Sequence, residues 1–160
     1  MAVRIREATD DDSAAVIRLI EEVFSEYPGC VLDVDREEPH LRRVAGAFRE
    51  WGGNFWVAEE AGRIVACCGY RPARSGDAIE LKHLYVGAAA RRRGLGNRLS
   101  EMVEHEAAAR RAPAVELWTD TRFTDAHRLY EARGYEKTGE TRDLNDLSAS
   151  VEYYFRKPLD

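Results

Sequence analysis

The sequence predicts an α/β domain of the α+β kind: a twisted, mixed, mostly antiparallel sheet of about seven strands covered by about four helices. Three observations carry this. The chain has 160 residues with no internal repeat, low-complexity tract or Pro/Ser-rich linker, so residues 1–160 form one domain. Segments with apolar residues at i, i+3 and i+4 are interleaved with short runs rich in β-branched and aromatic residues. Their order, β-α-α-β-β-β-α-β-α-β-β, places two groups of consecutive strands in one chain, which a purely parallel sheet does not accommodate. Composition narrows the class further. Lys and Arg number 24 against 29 Asp and Glu, a net charge of −5, with 44% hydrophobic and 33% charged residues. That balance argues against general nucleic-acid or anionic-membrane binding, which need a dominant positive field. Apolar runs fall far short of the roughly 20 residues that span a bilayer. The N-terminal Met-Ala-Val-Arg-Ile-Arg-Glu has no apolar stretch of a signal peptide. Cys30, Cys67 and Cys68 are odd in number, and two are adjacent, so no disulfide framework is expected. A reduced, cytoplasmic setting follows as the expectation.

Val3 to Glu7 alternate as a strand, and Thr9 followed by three aspartates opens a helix whose stripe is Val16, Leu19, Ile20, Val23 and Phe24. Tyr27-Pro28-Gly29 ends it. Leu41, Val44, Ala45 and Phe48 mark a shorter helix closed by Gly52-Gly53. Phe55–Glu59 and Ile64–Tyr70 flank the turn Ala61-Gly62 and read as a hairpin, followed by a loop from Pro72 to Asp77 and a strand from Ile79 to Val86. Leu95, Leu99, Met102 and Val103 lie on one face of a helix running to about Arg111. Val115–Thr119 is a strand. Ala126, Leu129 and Tyr130 share a face of a short helix that Gly134 stops as a left-handed residue, and Tyr135–Thr141 and Val151–Arg156 are the last strands.

The chemistry concentrates where the strand Ile79–Val86 meets the following helix. Residues 88–100 carry four arginines and no acid, a local +4 in a chain of net −5. The first amides of a helix lack intrahelical acceptors and sit at its positive end, so this is an anion site. Gly94 and Gly96 allow close backbone approach, and the arginines add charge at the rim. A dinucleotide fingerprint is excluded because Leu99 stands where its third glycine belongs, and a P-loop because no Lys-Ser/Thr follows the glycines.

What remains is R-x-x-G-x-G after a strand, with Ala126-His127-Arg128-Leu129-Tyr130-Glu131-Ala132-Arg133-Gly134-Tyr135 about 30 residues downstream. In both motifs, and in the order of its elements, the chain resembles the GNAT superfamily of acetyl-CoA-dependent N-acetyltransferases. The resemblance implies a GNAT-like fold with acetyl-CoA as acyl donor. It implies a cofactor site of Leu84, Tyr85 and Val86 along the pantetheine arm and of Arg91, Arg92, Arg93, Gly94, Leu95, Gly96, Asn97 and Arg98 around the pyrophosphate. An oxyanion donor is implied at the main chain near Val86. Two departures stand out: Phe123 occupies the place where many members have an asparagine, and Ala88-Ala89-Ala90 replaces a common proline.

Acetylating an amine requires removing its proton, since an alkyl amine of pKa near 10.4 is about 99.9% protonated at pH 7, and assisting a departing thiolate of pKa near 8.5. By its place in the second motif Tyr130 is the candidate general acid, the alternative being a core aromatic. Glu80 is the candidate base, acting through water, the alternative being a solvated carboxylate. His83, three residues on, points to the opposite face if pairing is regular, as a core histidine. His127 is expected on an exposed flank, and His40 and His105 show no partner pattern. Glu101 and His105 share a helix face, but no HExxH or Cys/His cluster points to a metal. Cys67 and Cys68 read as core residues.

The acceptor, by resemblance, sits between the loop Gly29–Glu38 and the stretch Glu140–Asp146, both rich in carboxylates. That favours a small, cationic amine, the alternative being that both stretches are solvated loops, while Arg122 beside Asp120 offers an alternative hold on the carboxylate of an amino acid. Two other classes stay open: a protein or peptide N-acetyltransferase, and a non-catalytic acyl-CoA-binding module. A homodimer is a further expectation, with Val151–Phe155 pairing to a second chain.

Overall fold

Alternation and helical periodicity resolve into seven strands and five helices in the computed structural model, which describes residues 2–74 and 76–160. The strands are β1 (Arg4–Glu7), β2 (Asn54–Glu60), β3 (Arg63–Pro72), β4 (Ile79–Val86), β5 (Ala114–Asp120), β6 (Glu136–Asp143) and β7 (Val151–Pro158). The helices are α1 (Ser13–Phe24), α2 (Val34–Glu37), α3 (Val44–Glu50), α4 (Leu95–Ala109) and α5 (Thr124–Ala132). One helix more than expected is present. The addition is α2, a single turn that has no room for periodicity and is held locally by the Asp33 carboxylate accepting from the Arg36 N–H at 3.3 Å. The acidic start of α1 is a 3-10 turn, Asp10–Asp12, whose Asp12 carboxylate accepts from the Thr9 N–H at 2.8 Å. Ser75, in the expected loop between β3 and β4, lies outside the described residues, as does Met1.

The sheet order is β1-β2-β3-β4-β5-β7-β6. Every neighbouring pair is antiparallel except β4 and β5, which are parallel and pair at Ile79–Val115 and Glu80–Glu116 alone. Because β7 lies between β5 and β6, both of its hydrogen-bonding edges are occupied. The expectation that Val151–Phe155 offers an edge to a second chain is therefore corrected: the outer strands are β1 and β6.

Side-chain alternation divides the core between the two faces of the sheet. On β2, Phe55 and Val57 pack with α1 and α3 through Val16, Leu19, Ile20 and Phe48. Trp56 and Ala58 pack on the other face with Leu95, Leu99 and Val103 of α4, Tyr130 of α5 and Phe155 of β7. The Ala61-Gly62 turn has φ of 52° and 76°, the left-handed pair a two-residue hairpin needs. At the end of α5, Gly134 (φ 92°) closes a Schellman arrangement in which the Tyr135 N–H donates to Tyr130 O at 2.9 Å and the Gly134 N–H to Glu131 O at 3.0 Å.

One irregularity bears directly on the site. Cys67 opposes Tyr85 and Gly69 opposes Lys82, so β4 takes three steps where β3 takes two. The extra residue is absorbed near His83, whose φ is 58°. This bulge overturns the regular alternation assumed above. His83 lies on the α3 face against Phe48 and His40, the face opposite Ile79 and Leu81, and therefore on the side of Glu80.

Phe155 is fully buried at the crossing of β7 with α5. Phe155→Ala is expected to lower the unfolding free energy by about 3–5 kcal/mol, measured by urea denaturation with the slope unchanged.

Candidate active site

After Glu80 and Glu116 the two parallel strands part, and the space between them opens to both faces of the sheet. On the α4 side is a cavity of about 400 Å³ and on the α1 side one of about 960 Å³. His83, Tyr85, Trp118, Asp120, Phe123 and Glu152 line both, so the two meet through the gap.

The smaller cavity gathers most of the residues expected to hold the donor. Leu84, Tyr85 and Val86 of β4, then Arg91, Arg92, Gly94, Leu95, Gly96 and Asn97, lie along it, and Tyr130 lines it as well. Arg93 and Arg98 do not line it. The loop is shaped by two left-handed residues, Arg92 (φ 62°) and Gly94 (φ 77°), ahead of α4. The first intrahelical bond of α4 runs from the Arg98 N–H to Gly94 O at 3.0 Å, which leaves the amides of residues 95–97 ahead of it.

The two glycines serve different ends. At Gly94 an added Cβ meets open space, so only the backbone angle requires glycine. At Gly96 it would come within 3.0 Å of Leu129 Cδ2, so the missing side chain lets α5 approach α4. The arginines divide likewise. Arg91 is held by Glu26, donating at 2.5 and 2.6 Å, and gives its Nε–H to Val86 O at 3.1 Å. Arg93 is paired with Glu60. Arg92 is exposed at the rim, so the local +4 read from sequence is partly neutralised in the fold.

Tyr130 is buried, packed edge-on to Tyr135 at 5.6 Å, and burial pushes its phenol above the ordinary range. It stays a neutral O–H donor. Tyr85 is half-buried, its phenol pushed well up by desolvation, and it touches Phe24 and Phe123. Phe123 also packs on Tyr27, with ring centroids 4.9 Å apart, and so replaces a polar side chain by an aromatic wall at the junction of the cavities.

The larger cavity is lined by both acidic stretches picked out in the sequence, through Asp33, Glu37, Glu38, Glu140 and Asp146. Nine carboxylates face four Lys or Arg side chains around it. Glu80 is buried there, its Oε1 accepting from Arg71 Nε at 3.0 Å, and the Arg71 guanidinium lies 4.6 Å above the Trp51 ring. Glu116 accepts from the Tyr154 hydroxyl. Arg122, the alternative carboxylate hold, is committed to Asp120 at 2.9 and 2.8 Å and to Ser148 O. Burial alone would raise Asp120; the bonds from Arg122 outweigh it and hold the carboxyl below its usual range.

Three histidines depart from expectation. His127 is half-buried and hydrogen-bonded through Nε2 to Asp120 O at 2.9 Å, stacked on Phe155. His40 and His83, 43 residues apart, bring their Nε2 atoms to 2.9 Å. Glu38 Oε2 stands 3.4 Å from the first and 3.8 Å from the second. Burial, reinforced by Lys82 and Arg71, lowers His40 to about 4 and His83 well below the usual imidazole range, and burial raises Glu38. Cys67 and Cys68 are core residues as expected, the first thiol pushed by burial up to about 12.

The model of the acetyltransferase (GNAT) family matches residues 16–135. The N-acetylaspartate synthetase of Danio rerio is 29% identical over 121 residues, which cover 76% of this chain and 42% of that protein. The uncharacterized N-acetyltransferase YjgM of Escherichia coli (strain K12) is 29% identical over 136 residues, 82% of this chain and 81% of its own. Among these first relatives, then, the chain spans most of one and less than half of the other. A GNAT-family acetyltransferase from Staphylococcus aureus Mu50 superposes with a TM-score of 0.84 at 21% identity over 99% of this chain and 100% of its own. The yncA protein of Salmonella typhimurium, solved with its cofactor acetyl-CoA, superposes with a TM-score of 0.76 at 19% identity over 100% and 95%. No helix among the described residues is long and apolar enough to cross a membrane.

Gly96→Ala is expected to destabilise through Leu129, and Leu129→Ala to remove most of that added cost. Gly94→Ala should cost about 1 kcal/mol irrespective of Leu129. A double-mutant cycle on denaturation midpoints separates the two.

Proposed function

The chain belongs to the acetyltransferase (GNAT) family, and from that premise we propose that it moves the acetyl group of acetyl-CoA directly to a primary amine of a small acceptor, cationic or amino-acid-like. The observation that carries the reading is the meeting of two cavities through the gap between β4 and β5, one bordered by an amide-rich helix start and the other by an excess of carboxylates.

The donor's residues fit that assignment. The left-handed turn at Arg92 and Gly94, the amides of residues 95–97 and the exposed Arg92 suit a pyrophosphate, and the β4 edge from Leu84 to Val86 suits an extended amide-bearing arm. Bound there, acetyl-CoA supplies an acyl group activated as a thioester. Tyr130, kept protonated by burial, donates its Oη proton toward the departing sulfur. Glu80, on the acceptor side, takes the amine proton through water at Oε2, its Oε1 being held by Arg71. The acidic wall draws the protonated amine in, and the aromatic cluster of Phe24, Tyr85 and Phe123 excludes water from the junction. A relative named for N-acetylaspartate also fits an amino-acid-like amine.

A panel of amines followed by thiol release tests the acceptor. Cationic and amino-acid amines are expected to lead, and a preference for neutral amines or peptide N-termini would overturn the electrostatic reading. Tyr130→Phe should lower kcat about 10²-fold with the acetyl-CoA-induced rise in Tm retained. Since the Tyr130 phenol is raised above its usual pKa of about 10, its ionisation should produce no alkaline loss of kcat below pH 10.

A further inference from the structure

Three ligand-type side chains converge on the wall of the larger cavity and have no part in the acid, base or donor-binding roles above. His83 arrives from the bulge of β4, His40 from the 3-10 turn Pro39–Arg43, and Glu38 from the residue before that turn. The separations of their donor atoms, 2.9, 3.4 and 3.8 Å, define a triangle. Its corners lie on a circle of radius about 2.0 Å, so one point is equidistant from all three at the length of zinc–imidazole and zinc–carboxylate bonds. We propose that Glu38, His40 and His83 form a three-ligand site for a divalent cation of the zinc class, with a fourth position open to the acceptor cavity.

The ligand set is the N/N/O combination that zinc takes where it keeps an open position, and it differs from the all-oxygen shell of magnesium or calcium. Both rings are held by packing: His40 lies against Trp51 at 4.9 Å and Phe48 at 5.9 Å, and His83 against Phe48 and Tyr85, each at 6.2 Å. Their side chains are 12% and 8% exposed, so little rotamer freedom is left to lose on binding. The Glu38 side chain, 32% exposed, leaves a path from solvent. Among the cations near the cluster, Arg71 is neutralised by Glu80, and Arg142, elsewhere on the cavity wall, is neutralised by Glu152. Lys82, adjacent to His83, opposes a dication, as does Arg74 on the cavity wall; with Glu80, Asp120 and Glu152 paired to arginines, the other six of the nine carboxylates lining the cavity outweigh these two cations. Occupation would pin the acidic segment before α3 to β4 and place a Lewis acid beside the amine's binding space.

The test uses the full chain stripped with EDTA, titrated with zinc chloride by calorimetry and with cobalt chloride by visible absorption. One equivalent of either metal is expected to bind, with cobalt d–d bands. Glu38→Gln and His40→Gln should each weaken zinc binding by more than about 10–100-fold, the loss that outer partners of metal ligands cause. Cys30→Ser, which alters the half-buried free thiol outside the cluster, should bind as the parent does. Glu38→Gln keeps the shape of a half-buried side chain, so it decides the matter should His40→Gln fail to fold by circular dichroism in EDTA. No saturable one-to-one binding by the parent chain, or unchanged affinity in Glu38→Gln, overturns the proposal. Neither outcome depends on acetyl transfer, which the amine panel reports separately.

Discussion

The site depends on a pairing that stops. β4 and β5 share two rungs of ladder, at Ile79–Val115 and Glu80–Glu116, and then separate while both continue to the same end of the molecule. A parallel pair fully zipped would seal the sheet there. Parted, it presents unpaired strand edges to a ligand, and it connects the two faces that the hydrophobic core otherwise keeps apart. The bulge at His83 belongs to the same device: the added residue turns β4 just where it leaves its neighbour, and it brings an imidazole to the wall of the larger cavity. The flanking hairpin β2–β3 and the β5–β7–β6 unit are antiparallel sheet, with register shifts at Ala58/Glu59 in the first and between Lys137 and Thr141 in the second. They flank the gap on its two sides.

The two helices beside the smaller cavity are set by packing. Gly96 admits Leu129 to close range, and α5 thereby carries Tyr130 to the cavity that Leu84–Val86 also line. Ion pairs complete the frame. Glu104, burdened by burial, is held below its usual range by Arg133 at 2.7 Å and Lys157 at 2.9 Å, and accepts from the Tyr135 hydroxyl. That network ties α4 to the end of α5 and to β7. A carboxylate so enclosed costs desolvation that three donors repay, and removing one of them leaves the others with a buried charge to support.

Much of the fold was legible because it is written in local periodicity. The stripe of α1, the alternation of β2 and the glycine at the end of α5 each report a neighbourhood within a few residues in the chain. The R-x-x-G-x-G loop and the Tyr130 segment were legible for the same reason. What stayed hidden is non-local. The pairing of Arg91 with Glu26 spans 65 residues and that of Arg93 with Glu60 spans 33, and no pattern in the sequence shows that half of the loop's arginines are already engaged. His40 and His83 look partnerless in the chain, because their contact exists only once the acidic segment folds over β4 and the bulge turns the ring. The position of β7 inside the sheet is likewise a matter of topology, and an apolar, aromatic strand at the end of a chain reads the same whether it is flanked on one side or two.

The order of the strands also decides what the molecule shows to its own copies. The apolar strands are interior, and the sheet ends on β1, four residues long with Arg4, Arg6 and Glu7, and on β6, Glu-Lys-Thr-Gly-Glu-Thr-Arg-Asp, interrupted at Gly139 by a left-handed kink. Short length, charge and a broken register are the features that deter strands from adding to an open sheet. A protein that keeps a functional rent in the middle of its sheet thus guards its borders, and crowding is met by edges that repel recruitment into larger β-structure.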